Sequence, residues 1–267
     1  MSAGYSNKLV RNMLDNKKDN NKSFIVYITA GFPDLSATKK LILELDRTGV
    51  DVIELGIPFS DPIADGPVIQ EAGFKALQKG VTFKKILKMT AGLKGKLKSA
   101  IVLMGYYNSF LSFGLEKFVA SCKNNGVDGI IIPDLVPEEG KVLSKLAKKR
   151  GLAVVFLVAP NSTEKRIKLA ASLSSGFLYC VSVKGITGER KNLPNISKYI
   201  AKVKKITKLP LAVGFGISNN SQAKHFLKSA DGVIIGSAAI KIIKDNQGKN
   251  CVNALSRFVK SLKKGIK

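Results

Sequence analysis

Two carboxylic acids, Glu54 and Asp65, are the side chains of this sequence best placed for chemistry. Glu54 interrupts the apolar run of residues 52–55, which predicts a buried strand, and burying a charge there is costly unless the protein uses it. Apolar surroundings also raise the pKa of a carboxyl group, which suits an acid or base that works near neutral pH. Asp65 follows in a loop that three prolines stiffen. We predict that the two carboxyls divide the work of acid and base.

Other chemistries have less support from the residues. Asp61 lies in a Ser-Asp-Pro sequence, which is typical of a turn in which the Asp side chain binds its own backbone. His225 is the single histidine and lies in a predicted helix, which disfavours a histidine-rich metal site or a Ser-His-Asp triad. Lys184 follows the sixth predicted strand instead of lying within it, so a Schiff base at this lysine ranks low.

The elements that must position these acids alternate between strand and helix. Short apolar runs predict eight strands, at residues 24–29, 51–56, 100–105, 129–133, 152–159, 177–183, 210–214 and 232–236. Near-continuous apolar strands that alternate with amphipathic helices indicate a parallel sheet with a covered outer face. Eight such units fit a closed (β/α)8 TIM barrel. An open doubly wound sheet is the alternative, although its Gly-x-Gly-x-x-Gly turn does not follow the first strand.

The domain organisation follows from the same pattern. Residues 1–21 predict an extra N-terminal helix, which could close the bottom of the barrel. No linker and no change of composition divides the 267 residues, and α/β barrels of this length are common as single domains. We therefore expect one α/β TIM-barrel domain over residues 1–267.

The net charge of +25 suggests a nucleic-acid ligand, but the composition argues against one. The 44 basic residues are 38 Lys and 6 Arg, and they are spread over the predicted outer faces of the helices. Recognition of nucleic acid draws heavily on Arg and on interleaved aromatic residues, which this pattern lacks. We expect a solvated basic surface and no nucleic-acid partner.

The sequence also predicts neither export nor a membrane location. The first 21 residues are polar and do not resemble a signal peptide, and no stretch has the length and apolarity of a membrane span. Cys122, Cys180 and Cys251 are too widely spaced for a Cys-x-x-Cys pair, so neither a zinc site nor a disulfide framework is indicated. We expect a cytoplasmic protein without a metal.

Glycine-rich turns follow the last three predicted strands, at residues 183–188, 214–217 and 236–238. Glycines leave backbone N–H groups accessible, and Gly236-Ser237 is predicted to open a short helix whose N-terminus favours an anion. TIM barrels commonly bind phosphate near the loops after strands seven and eight. Tight βα turns alone would explain one such glycine. Three converging turns favour a phosphate monoester substrate.

Residues 53–67, Ile-Glu-Leu-Gly-Ile-Pro-Phe-Ser-Asp-Pro-Ile-Ala-Asp-Gly-Pro, closely resemble the signature of the tryptophan synthase alpha chain family. The resemblance covers nearly the whole chain and includes residues 24–31, 185–188, 214–217 and 236–237. It implies a TIM-barrel lyase that cleaves indole-3-glycerol phosphate to indole and glyceraldehyde 3-phosphate by a retro-aldol step. It also implies an alpha2-beta2 heterotetramer. There the partner beta chain carries pyridoxal phosphate and makes L-tryptophan from L-serine and the transferred indole, so no cofactor is expected in this chain.

The same resemblance assigns roles to individual residues. Glu54 is implied to be the proton shuttle, and Asp65 is implied to partner the indole N–H. The family's phosphate contacts fall on Gly188, Gly214, Gly216, Gly236 and Ser237. The positions around the indole fall on Tyr27, Tyr106, Tyr179 and Phe215. Thr187 matches a loop residue that hydrogen-bonds the catalytic aspartate on closure, and the loops at residues 58–67 and 184–192 are expected to act as lids.

Three alternatives stay open at this point. Another phosphate-binding barrel, of aromatic amino-acid or thiamine synthesis, would share the glycine turns but not the Pro-Phe-Ser-Asp-Pro sequence. A barrel that has lost its activity and only activates a partner is disfavoured by the presence of both Glu54 and Asp65. A basic nucleic-acid binder or scaffold would use the net charge.

Overall fold

The computed structural model describes residues 7–181, 196–214, 216–247 and 250–267. The strands in these ranges are β1 Ser23–Thr29, β2 Val52–Gly56, β3 Ala100–Met104, β4 Gly129–Ile131, β5 Ala153–Val155, β6 Leu157–Val158, β7 Leu178–Val181, β8 Leu211–Gly214 and β9 Gly232–Ile235. The helices there are α1 Lys8–Lys18, α2 Leu35–Arg47, α3 Pro67–Gln78, α4 Phe83–Ala91, α5 Tyr107–Phe113, α6 Leu115–Asn124, α7 Lys141–Lys149, α8 Glu164–Leu173, α9 Ser197–Ile206, α10 Asn220–Leu227, α11 Ser237–Asp245 and α12 Cys251–Lys263. In the part of the chain that is described, no helix is long and apolar enough to cross a membrane.

The strands form one parallel sheet in the order β5-β4-β3-β2-β1-β9-β8-β7-β6. Its two end strands, β5 and β6, are consecutive in the chain and are separated by Phe156. The Phe156 N–H donates to the Ser174 hydroxyl at 3.0 Å, and its carbonyl accepts the Tyr179 N–H at 3.1 Å. β5 and β6 are therefore one interrupted strand that pairs with β4 and then with β7. The sheet closes in this way into the predicted eight-stranded barrel.

Two apolar clusters lie on the two faces of the barrel wall. Val52 of β2 belongs to the smaller cluster inside the barrel, whereas Ile53 and Leu55 belong to the larger cluster beneath the helices. Successive side chains of a strand point to opposite faces. Glu54 has the parity of Val52, so its side chain points to the inside of the barrel, near the C-terminal end of β2.

Helix α1 closes the bottom of the barrel, as the sequence predicts. Leu9 and Met13 are fully buried and pack against the inner apolar cluster. They are four residues apart, which places them on one face of the helix. The Asn7 side chain accepts the Val10 N–H at 3.2 Å and caps the helix, and the Asn12 amide donates to backbone carbonyls of two bottom loops. Side-chain packing and polar contacts together hold α1 against the N-terminal ends of the strands.

Candidate active site

Glu54 is a buried carboxyl group at the C-terminal end of the barrel, with 1% of its surface exposed. Its neighbours in the parallel register are Tyr27 on β1 and Val102 on β3. Glu54 Oε2 has no hydrogen-bond partner among the described residues, although buried polar atoms usually have one. Burial, followed by the charge of Asp65, raises the pKa of Glu54 to about 8. The group is therefore mostly protonated at pH 7 and is suited to giving and recovering a proton.

Asp65 lies in the loop between β2 and α3, directly before the Gly66 cap and Pro67, the first residue of α3. The Tyr106 hydroxyl donates to Asp65 Oδ2 at 3.0 Å. Burial raises the pKa of Asp65 to about 6, and the hydrogen bond from Tyr106 opposes this rise. Asp65 is therefore mainly ionised at pH 7, beside a protonated Glu54. Two carboxyls in these states can serve as a proton donor and as a fixed negative charge.

Asp61 makes local contacts in the same loop. Its carboxylate accepts a hydrogen bond from the Ser60 hydroxyl, and its backbone carbonyl accepts the Ile63 N–H at 2.9 Å. The predicted turn is therefore present. The prediction was wrong in one detail, since the carbonyl of Asp61 accepts the backbone N–H and the carboxylate accepts from Ser60.

Tyr27 and Tyr179 share the electrostatic environment of the two acids. Burial raises the pKa of both tyrosines well above the usual value, and the charges of Glu54 and Asp65 raise it further. Both phenols therefore stay neutral and can donate or accept hydrogen bonds. The Thr29 hydroxyl donates to the Tyr27 oxygen at 3.4 Å, and Tyr179 packs against the inner apolar cluster. The mouth of the barrel thus brings together side chains from β1, β2 and β7.

Two glycines provide the space that these tyrosines occupy. A Cβ atom at Gly214 would lie 2.7 Å from the Tyr179 hydroxyl oxygen, and a Cβ at Gly56 would collide with the Tyr27 hydroxyl. The sequence pointed to Gly214 only as part of a phosphate-binding turn. The structure adds a steric reason for glycine at that position, because a side chain there would displace the tyrosine.

The glycine turns after β8 and β9 lie at the same end of the barrel. Gly216 has φ +62°, a left-handed conformation that favours glycine. Gly236 caps α11 without a side-chain hydrogen bond, and a Cβ there would meet no heavy atom closer than 3.9 Å. α11 begins at Ser237 and extends over nine residues. The open first turn of such a helix attracts an anion.

Three of the predicted site residues, Thr187, Gly188 and Phe215, lie outside the described residues, as does the expected lid at residues 184–192. The remaining predicted residues all lie on strands of the barrel or on the segments that follow them. Sequence reasoning missed the bond between Tyr106 and Asp65. Only the general rule that strand-end side chains converge could have suggested it.

The described residues contain no group of three or more His, Cys, Asp or Glu side chains arranged to hold a metal ion. The polar groups of the site are instead two carboxyls, the phenols of Tyr27, Tyr106 and Tyr179, and an open helix N-terminus. Such a set can transfer a proton at one end of a ligand and hold an anionic group at the other.

Comparison with known proteins agrees with this geometry. A family model described as "Tryptophan synthase alpha chain" matches residues 13–267. The tryptophan synthase alpha chain of Petrotoga mobilis is 47% identical over 248 residues, which cover 91% of this chain and 96% of the relative. The relative from Geotalea uraniireducens is 45% identical over 251 residues, with 94% of each chain covered.

Solved structures give the same result. The tryptophan synthase alpha chain of Legionella pneumophila superposes with a TM-score of 0.87 at 34% identity, covering 96% of this chain and 95% of the other. A chain from the tryptophan synthase complex of Pyrococcus furiosus superposes with a TM-score of 0.83 at 37% identity, covering 90% and 97% of the two chains. The chain described here belongs to the tryptophan synthase alpha chain family.

Proposed function

We propose that the chain cleaves indole-3-glycerol phosphate to indole and glyceraldehyde 3-phosphate. The observation that carries this proposal is the carboxyl pair in the barrel mouth. Glu54 is buried, and its Oε2 has no hydrogen-bond partner in the part of the chain that is described. Its pKa is raised to about 8, and Asp65 is close enough for its charge to contribute to that rise. A retro-aldol step that begins with protonation of carbon needs an acid that is still protonated at pH 7.

Glu54 supplies the two proton transfers in this mechanism. Its carboxyl proton adds to the indole ring carbon that bears the glycerol chain, and positive charge develops on the ring nitrogen. The Glu54 carboxylate then takes the proton of the neighbouring glycerol hydroxyl. The carbon–carbon bond breaks, its electron pair returns to the ring, and the hydroxyl carbon becomes the aldehyde. Glu54 ends the cycle protonated, so the protons balance.

Asp65 holds the other end of the indole in this proposal. Its carboxylate accepts the indole N–H and stabilises the positive charge that develops there. Tyr27 and Tyr179 stay neutral beside it and border the aromatic ring. The phosphate group lies at the open N-terminus of α11, near Gly236 and Ser237, where it meets the positive end of the helix dipole.

We propose that the partner is a tryptophan synthase beta chain in an alpha2-beta2 assembly, since a similar chain occurs in a tryptophan synthase complex. In this assembly the beta chain holds the pyridoxal phosphate and joins indole to L-serine. Apolar side chains are exposed after three neighbouring strands, with 83% of Ile63, 48% of Leu111 and 39% of Val136 accessible. Exposed apolar groups that lie together mark protein interfaces. We place the beta chain on this rim.

A surface cavity supports the same location for the partner. It has a volume of about 580 Å³ and is bordered by Ile63 and by Phe74 of α3, whose side chain is 61% exposed. Phe59 and Pro62, from the loop that carries Asp65, also line it. A partner seated there would contact the catalytic loop directly and could therefore alter the position of Asp65.

We propose a cytoplasmic location on the evidence of the thiols. Cys122, Cys180 and Cys251 are all buried and unpaired. Disulfides are frequent in exported proteins and rare in the reducing cytosol. Three free thiols fit a protein that stays in a reducing compartment.

Steady-state assays test the proposed function. The purified chain is mixed with indole-3-glycerol phosphate, alone and with a beta chain, and release of indole and of glyceraldehyde 3-phosphate is measured separately. We expect the two products in equal amounts and a higher rate with the partner. An absence of both products under both conditions would overturn the proposed reaction.

A further inference from the structure

The hydroxyl group of Tyr106 makes two hydrogen bonds to the loop that carries Asp65. It donates to Asp65 Oδ2 at 3.0 Å, and it accepts the backbone N–H of Ala64 at 3.0 Å. One phenol oxygen therefore fixes both the carboxylate and the backbone beside it. The family resemblance places Tyr106 only among the residues around the indole.

The ring of Tyr106 is itself held firmly. Its side chain is buried, and its ring stacks on Phe59 with centroids 5.1 Å apart and an interplanar angle of 21°. Phe59 and Asp65 belong to the same loop, so Tyr106 contacts that loop through its ring as well as through its hydroxyl group. Within the described residues, the other hydrogen bonds of Asp65 involve its backbone, from its N–H to the Pro62 carbonyl and from the Gln70 amide to its own carbonyl, and these do not orient the carboxylate.

A second contact fixes the backbone position of Tyr106. Tyr106 is the residue that precedes α5, and the N–H of Tyr107 donates to both carboxylate oxygens of Asp134, at 3.0 and 3.2 Å. Asp134 lies in the segment after β4. A carboxylate at a helix N-terminus stabilises the first turn. The carboxylate of Asp134 therefore sets where α5 begins, and with it the position of the Tyr106 ring.

We propose that Tyr106 is the positioning residue for Asp65 and that Asp134 supports Tyr106 in this role. The strand-end segments of β2, β3 and β4 then form one connected unit, which includes the exposed Leu111 and Val136. This inference rests on the proposed function, in which Asp65 must meet the indole N–H. It adds Tyr106 as a residue that affects the reaction through the orientation and charge of Asp65.

Tyr106→Phe removes both hydrogen bonds and keeps the stacked ring. A hydrogen bond to a charged group is strong enough to move the pKa of Asp65 up by about one to two units when it is lost. Among the described residues, the other ionisable groups that interact with Asp65 are Glu54, Tyr27 and Tyr179, and the substitution leaves all three in place. We therefore expect the acid limb of the kcat/KM profile to move to higher pH and kcat at pH 7 to fall about tenfold.

A direct measurement separates this inference from the proposed function. Carboxyl ¹³C NMR, with the Asp65 signal assigned by its absence in Asp65→Asn, follows the titration without substrate. We expect the Asp65 midpoint to be higher in Tyr106→Phe than in the unsubstituted chain. An unchanged midpoint together with an unchanged pH profile would overturn the role of Tyr106, whatever the substrate of the enzyme is.

Two further variants complete the test. Tyr107→Phe removes a phenol hydroxyl one residue away, outside the site, and should leave the midpoint and the pH profile unchanged; a shift as large as that of Tyr106→Phe would also contradict the proposal. Asp134→Ala leaves the Tyr106 hydroxyl intact and should move the Asp65 midpoint in the same direction by less. This second variant keeps the proposal testable if Tyr106→Phe does not fold. An unchanged Asp65 midpoint in Asp134→Ala would then contradict the role of Tyr106.

Discussion

Acidic residues lie at both ends of this barrel, and the two groups differ in the hydrogen-bond partners of their carboxyl groups. At the bottom, Asp51, Asp128 and Asp231 each stand directly before a strand. Each carboxylate accepts a backbone N–H from the first two residues of a neighbouring strand. The donors are Phe24, Ile101 and Leu211, at 2.8, 2.9 and 2.9 Å. At the mouth, Glu54 Oε2 has no partner within the described residues, and the Asp65 carboxylate is held by Tyr106.

Helix α1 supplies further partners to the bottom acids. The Asn16 amide donates to Asp51 at 2.7 Å, Lys8 lies 3.4 Å from the Asp128 carboxylate, and Lys17 lies 3.6 Å from that of Asp231. Burial raises the pKa of Asp51 and of Asp128, but in both cases hydrogen bonds and a nearby lysine oppose the rise. Among the described residues, the charge that acts on the pKa of Glu54 is that of Asp65, and it raises this pKa further in the same direction as burial. Hydrogen-bond donors and nearby lysines, and not burial, distinguish the acids at the bottom from Glu54.

A similar sequence surrounds each of the three aspartates at the bottom of the barrel. Residues 50–54 read Val-Asp-Val-Ile-Glu, residues 127–131 read Val-Asp-Gly-Ile-Ile, and residues 230–234 read Ala-Asp-Gly-Val-Ile. The strand-initiating aspartate recurs in all three, whereas the position of Glu54 is isoleucine in the other two. Both isoleucines, Ile131 and Ile234, are buried in the inner apolar cluster. An apolar side chain is thus what packing alone selects there, and the glutamate is the exception.

The largest effect should come from Glu54→Gln, which keeps the shape of the side chain and removes the acidic proton. We expect kcat for indole release to fall by about 10³–10⁴-fold, at the upper end of general acid–base effects. Asp51→Asn makes the matching change at the bottom and should leave kcat within about twofold, because distant sites act independently. Similar losses in both variants would abolish the distinction between the two ends.

Asp65→Asn should have the next largest effect. The amide cannot supply the negative charge that stabilises the developing positive charge on the indole nitrogen, so we expect a fall in kcat of about 10²-fold. KM should change less than kcat, since the interaction is strongest in the transition state. Steady-state kinetics at pH 7 provide both numbers. A change confined to KM would assign Asp65 to ground-state binding instead.

Asp51→Ala should lower the stability of the fold and leave the catalysed reaction unaffected. It leaves the Phe24 N–H without its side-chain acceptor and removes one of the two acceptors of the Asn16 amide, and we expect the free energy of unfolding to fall by about 2–4 kcal/mol. Urea denaturation measures the change. The matched control is Asp19→Ala, an exposed aspartate at the same end, which should change stability by less than about 0.5 kcal/mol. Equal effects in the two variants would show that the buried contacts contribute nothing.

The pH dependence of stability reports on the burial of Glu54. Burial raises the pKa of Glu54 from 4.5 to about 8 in the folded chain. Between these values the unfolded chain loses the Glu54 proton and the folded chain keeps it, so stability decreases as pH rises. Glu54→Gln removes this contribution, and it should gain stability relative to the unsubstituted chain from pH 4.5 to 8. A difference between the two proteins that does not vary with pH would mean that the pKa of Glu54 is not raised.

Much of the architecture follows from local pattern. Apolar runs mark the strands because both faces of a barrel strand are covered, and the alternation of strands and helices leads to a parallel barrel. The four-residue spacing of Leu9 and Met13 fits a helix with one buried face. The position of Glu54 within an apolar strand, and of Asp65 on a stiff loop after it, could also be read from the residues alone. The interruption at Phe156 could not, because it depends on the Ser174 hydroxyl in a distant segment.

The chemical states of the two acids were decided only by the tertiary structure. The pKa of Glu54 depends on how completely strands far apart in sequence exclude water, and that exclusion cannot be read from residues 52–56 alone. Asp65 is oriented by Tyr106, forty-one residues away, and the meeting of the two depends on the closure of the barrel. Local sequence determines which groups are available, whereas desolvation and hydrogen-bond geometry are properties of the assembled barrel.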